Sequence, residues 1–128
     1  MRILITGSNG FLGSHLAHFF SQKNTEIFTT GRGPCRDNKI TGKVEYVDTE
    51  LTNKENVYHL IQKILPDVII HNAAMSKPNE CHFNNDACLK INVGATKYLL
   101  EAAELLAPDK KIHFIFLSTD YVFGENVL

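Results

Sequence analysis

The sequence has no strong excess of charge of either sign. Its 128 residues include 13 Lys and Arg and 14 Asp and Glu, which gives a formal net charge of −1 at pH 7. Proteins that bind nucleic acid or an anionic membrane surface usually present a basic surface to the phosphates. The composition therefore predicts neither nucleic acid nor a membrane as a partner.

Long apolar runs are also missing. A membrane-spanning helix needs about 20 consecutive apolar residues, and no apolar stretch of this sequence approaches that length. The apolar start at residues 3–5 ends at Thr6 and Gly7, which makes it too short for the hydrophobic region of a secretory signal peptide. We therefore expect a cytoplasmic protein.

Cysteine is scarce, and Cys35, Cys81 and Cys88 include no C-x-x-C pair. An odd number without such a pair is typical of a reducing compartment. Cys81 precedes His82, which suggests a metal ligand pair, but no second pair at ligand spacing completes a site, and we predict no metal. Repeats, low-complexity tracts and linkers are absent from the sequence as well, so residues 1–128 are expected to form one domain.

The sequence begins with a strand, a glycine-rich turn and a helix. β-rich apolar residues 2–6 lead into Gly7, Gly10 and Gly13, and apolar residues continue at helical spacing over 12–20. In a dinucleotide-binding fold the first glycine permits the turn, the second lets a pyrophosphate approach the backbone, and the third lets the helix pack closely. The pattern alone also fits a purely structural turn, but its place between a strand and a helix predicts dinucleotide binding.

Strands and helices alternate along the rest of the chain. Further strands are predicted at 25–30, 44–47, 67–71 and 111–117, with helices from a Thr52–Glu55 capping box to Ile64 and from near Asp86 to Pro108. Polar segments at 35–42 and 75–86 are predicted to be loops. This alternation predicts an α/β fold, a doubly wound parallel sheet (Rossmann fold) with strand order 3-2-1-4-5 and helices on both faces.

The last of these helices is expected to bury one apolar face against the sheet. That face comprises Ile91, Ala95, Tyr98, Leu99, Ala102, Leu105 and Leu106.

The end of the second strand bears on the choice between NAD and NADP. An acidic side chain there accepts a hydrogen bond from the free ribose 2′-hydroxyl, whereas a basic one pairs with a 2′-phosphate. The sequence has Thr29, Thr30 and Arg32 at this place and no acid. Although a loop arginine can simply be solvated, this pattern favours NADP over NAD.

Four short motifs are spread over the chain. They are TGSNGFLG at 6–13, ELTN at 50–53, NAA at 72–74 and STDYVFG at 118–124. Together they resemble the extended short-chain dehydrogenase/reductase family, and the last is most similar to its dTDP-4-dehydrorhamnose reductase branch, which usually has STDYVFDG there. The resemblance implies an NADP-binding Rossmann domain and a nucleotide-sugar substrate reduced by hydride transfer.

The resemblance also implies roles for individual residues. The cofactor would be bound by Gly7, Asn9, Gly10, Phe11, Leu12 and Gly13 at the pyrophosphate, Arg32 at the 2′-phosphate, Glu50 and Leu51 at the adenine, and Ala73 and Ala74 near the nicotinamide. Thr119 matches the family's hydroxyl that hydrogen-bonds the substrate carbonyl, with Ser118 as the alternative. Glu50 and Asn53 stand where the family usually has Asp.

The family's proton donor is the tyrosine of a Tyr-x-x-x-Lys pair, and none of the four tyrosines here has a lysine four positions later. After Tyr121, for example, that position is Glu125. The resemblance therefore implies the NADP-binding portion of a sugar-nucleotide reductase, shortened before its catalytic pair and substrate region.

Two alternatives remain open for the whole protein. One is a non-catalytic NADP-binding regulatory subunit, because the regulatory subunit of methionine adenosyltransferase carries a similar signature. The other is an epimerase or dehydratase of the same superfamily, although the STDYVF signature favours the reductase. Apolar surface left where further helices would pack would favour a homo-oligomer.

Overall fold

The computed structural model describes residues 1–37, 43–106 and 108–123. Its strands are β1 (Arg2–Thr6), β2 (Glu26–Gly31), β3 (Val44–Asp48), β4 (Val68–His71) and β5 (His113–Phe116). They form one parallel sheet in the order β3-β2-β1-β4-β5, which confirms the predicted Rossmann fold and strand order. Residues 38–42 of the predicted loop, and Gly124 of the last motif, lie outside the described residues.

The helices between the strands are α1 (Phe11–Ser21), α2 (Lys54–Ile64), α3 (Pro78–Phe83), α4 (Asn85–Leu89) and α5 (Ala95–Leu106). A π-helical turn at Lys90–Gly94 joins α4 to α5, and a 3₁₀ turn spans Asp120–Phe123. Across the described ranges, no helix has the length and apolar character needed to cross a membrane.

Strand β1 shows how the sheet is buried on both faces. Leu4 belongs to one apolar cluster, which α2 and α5 cover, whereas Ile3 and Ile5 belong to a second cluster, which α1 covers through Ala17. Because successive side chains of a strand point to opposite faces, these three consecutive positions serve both cores. The predicted placement of helices on both faces is confirmed.

The strand register brings the segments that follow β1, β2 and β4 to one edge of the sheet. Thr6 at the end of β1 lies opposite Thr30 of β2 on one side and His71 of β4 on the other. The glycine turn therefore lies between the loop after β2 and the segment after β4. In open α/β sheets this carboxyl edge is where ligands bind.

The segment 75–86, predicted to be a loop, contains a helix, so that prediction is wrong. Pro78 occupies the first turn of α3, where its missing N–H costs nothing, and Glu80 is an acidic residue in the same turn. The proline indicated a helix start rather than a break.

Two details of the later helices also differ from the sequence prediction. The N-cap of α2 is Asn53 rather than Thr52, and the Asn53 side chain accepts a hydrogen bond from the Asn56 N–H at 3.1 Å. Leu105 is 65% exposed, although it was expected on the buried face that Leu99 does occupy. Leu105 lies in the last turn of α5, at the edge of the stripe in which Ala95, Leu99 and Ala102 are buried.

A disulfide between Cys81 and Cys88 joins α3 to α4, with the two Cα atoms 5.1 Å apart. Cys35 is an exposed free thiol. The sequence predicts a reducing compartment, in which cysteines are usually free thiols, and the disulfide differs from that expectation. The cytoplasmic location stays a prediction.

Candidate functional site

A cavity of about 650 Å³ opens at the carboxyl edge of the sheet. It is bordered by the glycine turn, the loop after β2, the segment between β3 and α2, and the segment after β4. Of the cofactor-contacting residues named from the sequence, those that line it are Gly7, Asn9, Gly10, Phe11, Leu12, Arg32, Glu50, Leu51, Ala73 and Ala74. The tertiary structure thus brings together side chains and backbone from four separate parts of the chain.

The floor of the cavity is a close backbone contact. Gly7 has a φ of +69°, and a Cβ on it would lie 2.8 Å from the nitrogen and the Cα of Ala73. A Cβ on Gly13 would overlap the Gly7 carbonyl oxygen and lie 2.8 Å from the Gly7 carbonyl carbon. Gly13, itself a described residue, therefore lies under the turn and not in the cavity lining. Its missing side chain lets α1 pack against the turn.

The N-terminus of α1 borders the cavity and offers an anion site. Gly10 is the N-cap, no side chain caps the helix there, and the first turn of this fully described helix holds no acidic residue. Unpaired N–H groups and the partial positive charge of the helix start are therefore available to an anion. A bare backbone at Gly10 and no competing carboxylate fit the pyrophosphate of a dinucleotide.

Two acidic side chains, one in β3 and one in the segment that follows it, are already hydrogen-bonded. Glu50 Oε1 accepts hydrogen bonds from the N–H of Thr52 at 3.2 Å and from its hydroxyl at 2.9 Å. Asp48, at the end of β3, accepts from the Gly33 N–H at 2.9 Å. Arg32 is exposed and lines the same cavity as Glu50.

A buried hydrogen-bonded chain centred on His71 supports the segment after β4. The Thr96 hydroxyl donates to the Asn92 carbonyl at 2.8 Å, so its oxygen accepts from His71 Nε2 at 2.9 Å. His71 Nδ1 then accepts from the Thr6 hydroxyl at 2.7 Å. This pattern assigns the neutral Nε2–H tautomer to a side chain that is 1% exposed. Burial lowers the pKa of His71 to about 4.

The same chain positions the backbone that lines the cavity. The Thr6 oxygen accepts hydrogen bonds from the N–H groups of Asn72 and Ala73, each at 3.1 Å. The hydroxyl can do so because its own hydrogen is given to His71. The segment after β4 is therefore attached to the end of β1 immediately before the glycine turn.

Asn92 in the π-helical turn holds the next part of the wall. Its Oδ1 accepts from the Met75 N–H at 2.7 Å, and its Nδ2 donates to the Met75 carbonyl at 3.1 Å. Nδ2 also lies 3.3 Å from the sulfur of Cys88. π-helical turns occur frequently at functional sites, and this one directs an amide onto the cavity-lining Met75.

Ser118 and Thr119, both described residues, lie outside the cavity lining. Both are exposed, and the Thr119 hydroxyl donates to Asp120 Oδ1 at 3.2 Å while accepting from the Tyr121 N–H at 3.3 Å. Thr119 thus caps the 3₁₀ turn that follows it. The catalytic role that the resemblance implies for these two residues stays a prediction.

The structure tests the Cys81-His82 pair as a metal site for the described residues. Within 1–37, 43–106 and 108–123, no group of three or more His, Cys, Asp or Glu side chains is arranged to hold a metal ion. Cys81 is bonded to Cys88 and cannot serve as a thiolate ligand.

Sequence reasoning missed several residues of the lining. Arg36 joins Arg32 in the cavity wall, and a second cation in the same short loop was the available signal. Lys77 and Glu80 also line it and form an ion pair at 2.8 Å, which their i,i+3 spacing could have indicated. Met75, which also lines the cavity, had no comparable signal, because its contact with Asn92 depends on the π-helical turn.

Comparison with known proteins adds independent information. Residues 3–127 match the model of the NAD dependent epimerase/dehydratase family. The mouse methionine adenosyltransferase 2 subunit beta is 36% identical over 126 residues, which cover 98% of this chain and 34% of that protein. CDP-paratose 2-epimerase from Salmonella typhi is 33% identical over 132 residues, covering 98% of this chain and 38% of that protein.

A solved structure of a hypothetical dTDP-4-dehydrorhamnose reductase from Sulfolobus tokodaii matches with a TM-score of 0.77 at 32% identity, covering 98% of this chain and 42% of that one. The chain thus spans about a third of the length of the curated relatives that it matches.

Proposed function

We propose that this chain, which belongs to the NAD dependent epimerase/dehydratase family, forms the NADP-binding portion of a sugar-nucleotide reductase similar to dTDP-4-dehydrorhamnose reductase. The observation that carries the proposal is the cavity at the carboxyl edge of the sheet. It combines a glycine floor, an uncapped helix start and a loop with arginine side chains. These features fit the pyrophosphate and the ribose end of one dinucleotide.

Each part of the cofactor has a matching part of the wall. The backbone at Gly10 would hold the pyrophosphate, Arg32 would pair with the 2′-phosphate, and Glu50 and Leu51 would border the adenine. Ala73 would lie near the nicotinamide, on the backbone that Thr6 holds. When bound, the nicotinamide would supply hydride to the 4-keto group of a nucleotide sugar.

The nucleotide-sugar site and the Tyr-x-x-x-Lys pair would belong to a region outside these 128 residues. The share of the curated relatives that the chain covers, 34% for the mouse protein and 38% for the Salmonella one, supports this division. Exposed apolar side chains on the edge strand β5, Ile115 and Phe116, would then be covered by that region or by a second subunit.

A second candidate is a non-catalytic NADP-binding subunit. The 36% identity to a subunit of methionine adenosyltransferase 2 favours it, as does the engagement of the Thr119 hydroxyl in a turn outside the cavity. An epimerase or dehydratase remains a further candidate, supported by the family match and by the Salmonella relative.

Isothermal titration calorimetry of the 128-residue chain with NADP and with NAD tests the proposal. Saturable binding of NADP at one site is the expected result, and a chain that binds neither dinucleotide would contradict it. A longer chain containing the Tyr-x-x-x-Lys pair should then oxidise NADPH with a 4-keto-6-deoxy nucleotide sugar. Binding without turnover would favour the regulatory subunit.

Arg32→Ala is expected to remove most of the preference for NADP over NAD. A hydrogen bond between an arginine and a phosphate contributes roughly 1.5 to 3 kcal/mol, so affinity for NADP should fall about tenfold to a hundredfold while affinity for NAD is retained. The measurement is the ratio of the two dissociation constants by calorimetry. Lys23→Ala, which removes an exposed cation near the opposite end of α1, is the matched control. Equal affinities of the wild-type chain for both dinucleotides would contradict the prediction.

A further inference from the structure

The side chain of Asn9 bonds to the loop after β2 rather than to its own glycine turn. Its Nδ2 donates to the carbonyl oxygens of Arg32 at 3.1 Å and Pro34 at 3.2 Å. Its Oδ1 accepts from the N–H of Arg36 at 3.0 Å. Both polar atoms of the amide therefore hold the backbone of residues 32–36, which together with the preceding Gly31 at the end of β2 we call the ribose loop.

Tyr46 of β3 is a second anchor for the ribose loop. Its hydroxyl donates to the Gly33 carbonyl at 2.6 Å and accepts from Asn9 Nδ2 at 3.1 Å. Burial raises the pKa of Tyr46, so the phenol keeps the proton that it donates. Asn9 and Tyr46 are thus joined to each other as well as to the loop.

The ribose loop lies directly against these two side chains. A Cβ on Gly31 would come within 3.0 Å of Asn9 Nδ2 and 3.2 Å of the Tyr46 hydroxyl oxygen. Its conformation is therefore set by contacts from the glycine turn and from β3. Both cationic side chains of the loop, Arg32 and Arg36, line the large cavity.

We propose that Asn9 and Tyr46 are positioning residues for cofactor selectivity, because they hold the ribose loop so that Arg36 joins Arg32 at the 2′-phosphate. This inference rests on the proposed function. Two guanidinium groups in one short loop would each form charge-assisted hydrogen bonds with a phosphate dianion and have no comparable partner on a free 2′-hydroxyl. Loss of the Tyr46 hydroxyl would leave the pyrophosphate site intact, because Tyr46 does not line the cavity, and would release the two arginine side chains from the 2′-phosphate.

Two variants test the inference by calorimetry with four probes. NADP and NAD report the selectivity of the whole site, and adenosine 2′,5′-bisphosphate and 5′-AMP report the ribose end alone. Tyr46→Phe removes one hydroxyl and keeps the ring, and we expect the NADP preference to fall about tenfold with affinity for NAD retained. Arg36→Ala should weaken binding of the bisphosphate about tenfold and leave 5′-AMP binding unchanged. Tyr58→Phe, which removes a hydroxyl from α2, is the matched control.

The outcomes separate the two proposals. A wild-type chain that binds neither dinucleotide overturns the proposed function, and this is visible in the first titration. If the wild-type chain prefers NADP but Tyr46→Phe and Arg36→Ala keep the wild-type ratio, the selectivity role is overturned alone. An equal loss of affinity for all four probes in Tyr46→Phe would also overturn it, because a merely structural role affects both kinds of ribose alike. Asn9→Ala should also lower the ratio of NADP affinity to NAD affinity, whatever it does to the pyrophosphate contact that the two dinucleotides share, and its thermal unfolding midpoint checks that the chain is folded.

Discussion

Gly13→Val is expected to lower the free energy of unfolding by about 3 kcal/mol or more, the upper range for overpacking a tightly packed site. A Cβ at this position would overlap the Gly7 carbonyl oxygen and lie 2.9 Å from Ser8 Cα. These are backbone atoms, and they cannot move aside freely because Gly7 itself packs against the backbone of Ala73. Helix α1 would have to leave the sheet, and dinucleotide binding would be lost together with the fold.

Gly10→Val is the informative comparison, because it should separate binding from folding. A Cβ on Gly10 would have a single tight contact, 3.2 Å from the Gly7 carbonyl oxygen. The rest of the side chain would project into the cavity at the start of α1, where the pyrophosphate is proposed to lie. Affinity for NADP should fall by about a hundredfold or more, equivalent to roughly 3 kcal/mol, with a smaller change in stability.

Urea unfolding followed by circular dichroism, combined with calorimetric titration of each folded variant, measures both effects. Gly33→Ala is a useful control in the unfolding series, since a Cβ there meets no atom within 4 Å although its φ of +72° carries some strain. If Gly10→Val bound NADP as tightly as the wild-type chain, the pyrophosphate would have to lie elsewhere. A Gly13→Val chain as stable as wild type would contradict the packing of α1 described above.

Acidification is expected to destabilise the protein through His71. The pKa of this side chain is about 4 in the folded chain against a reference of 6.5 for the unfolded one, so the unfolded chain takes up the proton first. The stabilising contribution is therefore complete above pH 6.5 and is lost as the pH falls toward 4. This pKa difference corresponds to a loss of roughly 3 kcal/mol in the free energy of unfolding over the whole range, of which about 2 kcal/mol should be lost by pH 5.

The environment of His71 contains no carboxylate among its described hydrogen-bond and ring contacts. Thr6 and Thr96 bond to its nitrogens, and Phe114 and Phe116 lie with ring centroids 6.0 and 5.9 Å from the imidazole. Nothing in this set would compensate a positive charge, which is why burial governs the pKa.

Urea midpoints between pH 7 and pH 5 measure this loss. Hydrogen bonds from Lys110 and Lys54 hold the pKa of Asp67 and of Glu101 below the usual values, so these half-buried carboxyls titrate below that window. In His71→Gln the urea midpoint should fall less between pH 7 and pH 5 than it does in the wild-type chain. In His59→Gln, a change on the exposed face of α2, it should fall as much as in the wild-type chain. If the urea midpoint of His71→Gln fell as much as that of the wild-type chain, the acid sensitivity would belong to another group.

The sequence predicted the sheet well because its signals are local. Apolar runs such as 67–71 and the glycine pattern after residue 6 each specify an element through neighbouring residues alone. The strand order then follows from the doubly wound fold that the alternation of elements and the glycine turn indicate. The prediction failed at residues 75–86, where Pro78 begins a helix, and at Leu105, which lies at the exposed edge of the buried stripe in the last turn of α5.

Part of the candidate site could likewise be predicted from the sequence, and part could not. Sequence alone determined that a glycine turn, a basic loop after β2 and small residues after β4 would meet at one edge, because parallel strands place their carboxyl ends together. Only the tertiary structure decided what holds them there: Asn9 and Tyr46 on the ribose loop, and the Thr6–His71–Thr96 chain under Ala73. These contacts join residues at least 13 positions apart, as from Gly33 to Tyr46, and up to 67 apart, as from Thr6 to Ala73. Their partners are chosen by the packing of the finished sheet, which no local pattern in the chain encodes.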